Sequence, residues 1–469
     1  MPSKKISTEV AVIGSGPGGA ITGLTLAEAG FEVTIFEEGG DFPVNRYTDF
    51  SISEMKAKYR NGGVSTTLGK PGIAYVEGSC VGGGSEVNSG VYHRAPARIL
   101  QNWTQKYKVG DLSLEDEYEY VEDLLSIEKE PAESQAQASL ALKIGGEKLG
   151  WETTNSRRWL DYRMDNDGRT QLRRRSMSVV TLPMAKKLGA KLHSRCPIIK
   201  IKASKDSWHL VGRSPDGPVH VKAKYVFICA GAIQSPHILQ KSGLAPAICH
   251  GIQVHPFVKL AAVFSEVINS GDQGIPFHQV KLPGSDTSFG CSISSKPYLS
   301  LSLKNIIDQD IWRQMAAYYA MICPETNGKI LSIPGVRTPL VHYRLTQRDR
   351  HSLREGFVNL CRLLFQAGAV EIRPFFSKPI SIKNERDVES VSSKMITELA
   401  NLTSVHLSSS LPMGELPSCP VDSHGKVKGQ QNLYVNDASI LCSAPGVNPQ
   451  GAIMAVCRRN ARHFLEMNR

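Results

Sequence analysis

No apolar stretch in this chain approaches the ~20 residues that a membrane-spanning helix requires. The longest run, YVFICAGAI at Tyr225–Ile233, falls well short. The ten cysteines include no CxxC pair, so their spacing offers neither a zinc site nor a disulfide framework, and reduced thiols are expected. The N-terminal MPSKKISTEV runs almost directly into an apolar strand, which leaves no room for a secretory leader and points to the cytoplasm. Without secretion the sequon NLT at Asn401 carries no glycosylation meaning. MDNDG at Met164–Gly168 lacks the spacing of a calcium loop. Internal repeats, low-complexity segments and flexible linkers are absent as well. What remains is an ordinary globular composition, 41% hydrophobic and 21% charged, which excludes a disordered chain.

Acidic residues are the scarcer sign of charge: 44 Asp and Glu against 55 Lys and Arg give a net +11. Seven arginines fall between Arg157 and Arg175, in SRRWLDYRMDNDGRTQLRRRS. This segment is read as a solvated surface loop, with a site for an anionic substrate and a nucleic-acid or membrane patch as the alternatives. The basic tail AVCRRNARHFLEMNR is read as a helix with one apolar side. No nucleic-acid partner and no integral membrane segment is expected.

At 469 residues the chain can hold two or three domains. Its most informative stretch is TEVAVIGSGPGGAITGLTLAEAGFEVTIFEEGG, Thr8–Gly40. An apolar strand is followed at once by Gly14, Gly16 and Gly19 in the pattern GxGxxG. The first glycine permits a tight turn, the second lets the backbone approach a pyrophosphate, and the third lets helix and strand pack closely. Helical spacing runs through Ala20, Leu24 and Ala27 to a stop at Gly30. A second strand ends at Glu37, at about the 20-residue distance where a carboxylate meets an adenosine ribose. The motif indicates a dinucleotide without separating NAD from FAD. A second glycine-rich stretch follows in YVEGSCVGGGSEVNSGVYHRAP: Gly78, Gly82, Gly83 and Gly84, then Ser85 and Asn88. Two close-approach loops suit a long cofactor, one at the pyrophosphate and one beside a ring system.

In this layout the chain resembles the glucose–methanol–choline family of FAD-dependent oxidoreductases, in its bacterial choline-dehydrogenase-like branch. NGGVSTTLG is similar to the segment leading into the second signature, and YVFICAGAIQSPHILQKSGL to the element that completes the FAD domain, with Ala230 and Gly231 passing the cofactor closely. RCPIIKI is similar to the strand whose backbone meets the adenine, at Ile198. Thr338–Ala369 resembles a long crossover helix with its preceding strand. HLSSSLPMG and NLYVNDASILCSAPGVNPQGAIMAV resemble the C-terminal signatures. Ala261–Gly335 matches least, so substrate identity stays open.

The resemblance implies an α/β fold: a discontinuous Rossmann-like FAD-binding domain on a parallel sheet (1–105, 180–255 and 400–469). A capping substrate domain on an antiparallel sheet would come from 106–179 and 256–399. The alternation in FGCSISSKPYLSLSL, Phe289–Leu303, is read as a strand within it. The implied activity is oxidation of a small-molecule alcohol to an aldehyde or ketone by hydride transfer to flavin N5. His406 would be general base and Asn448 would bind the substrate oxygen. Pro449 would start the following helix, and Asp437 with Ala438 would contact the ribityl or pyrophosphate part. Asn448 serving only as a helix cap is the competing reading. FAD is expected to be non-covalent, because Val87, where some members carry a flavin-linking histidine, has no nucleophile. NAD(P)H is not expected as a substrate, and dioxygen or a quinone-like compound would be the electron acceptor. A non-redox enzyme of the hydroxynitrile-lyase type on the same fold is the alternative. His255 in QVHPF is read as part of a structural turn, and His93 falls outside the matched positions.

Overall fold

The computed structural model describes residues 3–44, 46–48, 51–127, 136–164, 170–245, 248–269, 277–393 and 400–468. Strand β1 (Lys4–Ile13) becomes fully buried over Val10–Ile13 and leads through the glycine turn into α1 (Pro17–Glu28). Helix α1 is buried on nearly every side, and β2 (Val33–Phe36) returns parallel to β1. After an excursion the chain adds β3 (Lys191–His193), β4 (Ile198–Ser204), β5 (Ser207–Ser214), β6 (Gly217–Ile228) and α2 (Gly231–Lys241). It then builds β7 (Phe257–Val263), β8 (Ser288–Cys291), β9 (Met315–Met321) and α3 (Gln347–Gln366) in a second layer. It comes back with β10 (Leu433–Val435) and α4 (Gln450–Asn468), which packs on α1.

The first sheet runs β3-β2-β1-β6-β5-β4, with β10 also paired to β6. Strands β3, β2, β1, β6 and β10 are parallel, as expected around the nucleotide motif. Strands β4 and β5 join them antiparallel, a departure from the expected parallel sheet. The reason is local. Lys205-Asp206 and Pro215-Asp216 are two-residue connections, and so short a loop can join only antiparallel neighbours.

The second sheet has nine strands and is antiparallel apart from one pair, Ile73–Tyr75 with Leu402–Ser404. Three of its strands, Ser65–Thr66, Ile73–Tyr75 and Leu402–Ser404, come from stretches the sequence assigns to FAD binding. Its centre is β7. Val258, Leu260 and Ala262 point to one side, into a core with Phe357, Leu360 and Leu364 of α3. Phe257 and Lys259, on the alternate positions, face the cavity between the two sheets.

Two local expectations fail. The strand expected over Phe289–Leu303 stops at Cys291, and Lys296–Leu303 is a helix. Pro297 lacks the N–H that a ladder needs but fits a first helical turn. Leu301, counted in the alternation, is exposed. The described part of the arginine segment is not a solvated loop either. It forms the strands Arg157–Arg158, Leu160–Met164 and Thr170–Arg174. Arg157 pairs with Glu122 at 2.8 Å. Arg158 is buried with its guanidinium 4.1 Å from the Phe277 ring centroid. Arg174 is buried, donating to the Glu86 carbonyl at 2.9 Å. Arg169 lies outside the described residues.

Candidate active site

The two glycine-rich loops touch each other. Gly14 sits at φ +104, and a Cβ on it would lie 2.3 Å from the Cys229 carbonyl oxygen. A Cβ on Gly19 would lie 2.0 Å from the Gly14 oxygen, and one on Gly83 would lie 2.7 Å from the Cα of Gly16. Only backbone fits between these segments. Ser15, inside the first motif, ties them together: its hydroxyl accepts from the Gly82 amide (3.1 Å) and donates to Glu37 (2.7 Å). Glu37 is buried at the end of β2 and also accepts from the amides of Ser15 (3.0 Å) and Gly39 (2.9 Å). Burial, with a smaller push from Glu38, raises its carboxyl to about 7.

From this corner a cavity of about 670 Å³ runs between the two sheets. The expected residues Gly14, Gly16, Glu37, Gly78, Gly83, Gly84, Asn88, Ile198, Ala230, Gly231, Asp437, Ala438, Asn448 and Pro449 line it, as does His406. Gly19, Gly82 and Ser85 do not, and support the wall from behind. The Ser85 hydroxyl, for example, donates to the Gly82 carbonyl (2.7 Å) and accepts from the Met177 amide (3.0 Å). Asp437 lines the cavity, yet its two oxygens accept from Gly231, Ser235 and, twice, Ser439. Four bonds fill a carboxylate's lone pairs, so Asp437 clamps the start of α2 to the turn after β10. Asn88 joins the second glycine loop to the start of α4, donating to Gln450 at 2.8 Å.

At the other end stand the polar groups of the second layer. Ser404 brackets His406, accepting from its amide at 3.3 Å and donating to its carbonyl at 3.0 Å. His406 Nε2 lies 3.3 Å from Asn448 Nδ2, and His406 Nδ1 lies 2.9 Å from Nδ1 of His255. The Phe257 ring stands edge-on to His406 at 5.5 Å. Asn448 does not act as a helix cap, since its Oδ1 is buried without a hydrogen-bond partner. Pro449 accepts the first bond of α4, from Ile453 at 2.9 Å. Burial holds His406 well below the usual imidazole range, with His255 and His93 adding to the effect. Burial alone brings His255 to about 4. His93, beside Asn448, is likewise brought to about 4, chiefly by burial and then by Lys281. All three rings are therefore neutral at pH 7.

The two ends of this chain make opposite demands. The Gly446 amide donates to His255 Nε2 at 3.2 Å, which leaves the His255 proton on Nδ1 and makes His406 Nδ1 the acceptor. The His406 proton then sits on Nε2, facing the cavity. Asn448, donating through Nδ2, requires a lone pair on that same Nε2. With neutral rings both demands cannot hold in this orientation of the Asn448 amide, whereas turning the amide lets Oδ1 accept from His406 Nε2–H. The histidine pair thus has two tautomeric forms, one with the His406 proton on Nε2 and one with it on Nδ1. In the second form His406 is ready to take a proton at Nε2 while its Nδ1–H donates to His255.

The sequence did not point to His255, His93 or Ser15. The HP dipeptide of His255 reads as a turn, and its contact with His406 spans 151 residues. Ser15 occupies a variable position of GxGxxG, where only the later acid hinted at a partner.

The arrangement fits FAD. A side-chain-free cradle and a buried acid stand at one end, an unpartnered amide oxygen and a histidine pair at the other. Comparison with known proteins agrees. The family models for GMC oxidoreductases match residues 55–257 and 334–457. An uncharacterised GMC-type oxidoreductase of Sinorhizobium fredii is 34% identical over 98% of this chain and 95% of its own. A long-chain-alcohol oxidase of Arabidopsis thaliana is 24% identical over 96% of this chain and 66% of its own. The crystal structure of pyridoxine 4-oxidase from Mesorbium loti superposes with a TM-score of 0.74 at 16% identity, covering 98% of this chain and 99% of that one. These likenesses reach a family and stop short of a choline-dehydrogenase-like branch within it.

Proposed function

Because the chain belongs to the glucose–methanol–choline oxidoreductase family, and is with it a non-covalent FAD enzyme acting on CH–OH groups, we propose that His406 takes the hydroxyl proton of an alcohol whose oxygen Asn448 holds. The observation that carries this is the His255–His406–Asn448 array at the end of the cofactor cavity. When bound, FAD would supply the two-electron acceptor for the hydride on the carbon that bears the hydroxyl. The protein's own part is to move one proton and fix one oxygen. His406 Nε2 receives the proton, and the resulting imidazolium is supported by its Nδ1–H bond to the lone pair on His255. Asn448 donates to the oxygen without competing for its proton. Phe257 and half-buried Tyr319, whose rings lie 5.1 Å apart, give that end of the cavity an apolar wall. An aldehyde or ketone leaves. The relative named as an alcohol oxidase supports dioxygen rather than a quinone-like compound as the final acceptor.

The test is anaerobic mixing of the yellow holoprotein with a panel of alcohols. At least one should bleach the flavin and air should restore the colour. His406→Ala should retain FAD and bleach about 10² to 10⁴ times more slowly. A lyase on this fold would use the same histidine without redox. Cleavage of a cyanohydrin with no bleaching by any alcohol would replace the oxidation reading with that one.

A further inference from the structure

The cavity carries a lysine that the chemistry above does not use. Lys259 follows Phe257 by two residues on β7, so both side chains leave the same face of the sheet, opposite the core under α3. Both line the cavity. The Lys259 ammonium lies 6.0 Å from the Phe257 ring centroid and 5.5 Å from that of Tyr298, and donates to the Tyr298 hydroxyl at 3.1 Å. Lys259 is half-buried, and among the described residues no carboxylate stands within ion-pair distance of it. A lysine stem often covers apolar surface while its head seeks water. Here the head is turned along the cavity wall, held by a phenol and two ring faces, with two of its three donors and its countercharge unprovided among the contacts described.

Phe257 neighbours both this cation and His406: its ring is 5.5 Å from the His406 ring and 6.0 Å from the ammonium. Tyr319, the register partner of Lys259 across the strand pair, extends that surface. A molecule with its hydroxyl at His406 would lay a flat apolar body along the two rings and bring its far end to Lys259. With about 2.8 Å of hydrogen bond at each end, the two distances leave room for a spacer no longer than about one substituted aromatic ring. The excess of positive charge over the whole chain would draw an anion in the same sense.

We propose that Lys259, with the Tyr298 hydroxyl, forms an anion-binding subsite, and that the substrate is an alcohol carrying a carboxylate or phosphate across a flat apolar body from its hydroxyl. This rests on the site and reaction described above, and it adds the substrate's second recognition point.

Calorimetric titration of the oxidised holoenzyme with 3-methylbenzoate, 3-methylphenyl phosphate and neutral 3-methylbenzamide tests the subsite without turnover. One of the anions should bind roughly 10 to 100 times more tightly than the amide, as expected of one charge-assisted contact. The anion that binds more tightly names the group. Lys259→Met should abolish the difference, Lys259→Arg should keep most of it, and Tyr298→Phe should reduce it, with flavin content and visible spectrum checked for each. Equal binding of anions and amide by the unaltered protein would overturn the proposal, as would an anion preference that survives in Lys259→Met. Reduction of the flavin by 3-(hydroxymethyl)benzoate is a separate arm. Tight, Lys259-dependent binding without reduction would leave the anion subsite standing and count against the alcohol-oxidation reading.

Discussion

With Nδ1 atoms 2.9 Å apart the two imidazoles can hold one proton between them, and under the proposed reaction His255 is a positioning residue for His406. His255→Phe keeps the ring and removes the relay. FAD should remain bound while flavin reduction slows by about 10- to 100-fold, roughly one to two hydrogen bonds' worth. His255→Gln, which can still accept and donate, should recover part of the rate. A merely structural histidine would show loss of flavin instead, visible in the absorbance ratio. The same rings set a pH response. His255 and His93 titrate near 4 in the fold against an ordinary 6.5. Between those values the unfolded chain binds protons that the folded one refuses. Stability is therefore full above about pH 6.5 and falls as the pH drops toward 4. Denaturant midpoints measured from pH 7.5 to 4 should decline over that window, and less steeply in His255→Phe. His406 and Asn448 were legible in the sequence because each sits in a matched signature. His255 was not, because only the folded sheets bring residues that far apart in the chain within reach.

Among the elements, legibility follows how local the governing physics is. The strand–glycine–helix opening can be read because the geometry of Gly14, Gly16 and Gly19 is decided within a few residues. Substituting Gly19 tests it. A methyl group there would sit 2.0 Å from the Gly14 oxygen, backbone that cannot step aside. Gly19→Ala should lose FAD and at least 1–3 kcal/mol of stability. Gly110→Ala, outside the cavity and with a Cβ in ordinary contact with Ser423 at 3.8 Å, should melt within the error of the parent. The comparison is made by thermal unfolding of both variants side by side. The Lys296–Leu303 helix was misread because three alternating leucines imitate a strand, while Pro297 and the exposure of Leu301 were the better guide. The arginine segment was misread because charge alone does not reveal partners. Glu122 pairs with Arg157, and the Glu86 carbonyl and Phe277 meet the other two, from remote stretches of chain.

At the scale of the molecule the cofactor cavity is a seam, with Gly16, Gly83 and Glu37 on one side and Phe257, Tyr319 and His406 on the other. A ligand that fills the seam should hold both layers. Protein stripped of FAD should melt lower, and free FAD at a hundred times its Kd should restore about 2.7 kcal/mol. Melting temperature followed against FAD concentration measures it, and a flat curve would mean that the flavin contributes nothing to the fold. The sequence conveyed the two-layer plan through family signatures. It did not convey which sheet claims Ile73–Tyr75 or Leu402–Ser404, because short strands take their partners from tertiary pairing. One consequence concerns synthesis. Helix α1 packs on one side against the helix Thr181–Lys187 and on another against α4, and β6 receives β10 only after residue 432. A ribosome adding 5–20 residues per second takes roughly 20 to 80 s to travel from Glu28 to Gln450. Throughout that interval the nascent chain carries the side of α1 that α4 comes to cover. This protein should therefore depend on chaperone shelter during translation far more than its finished structure suggests.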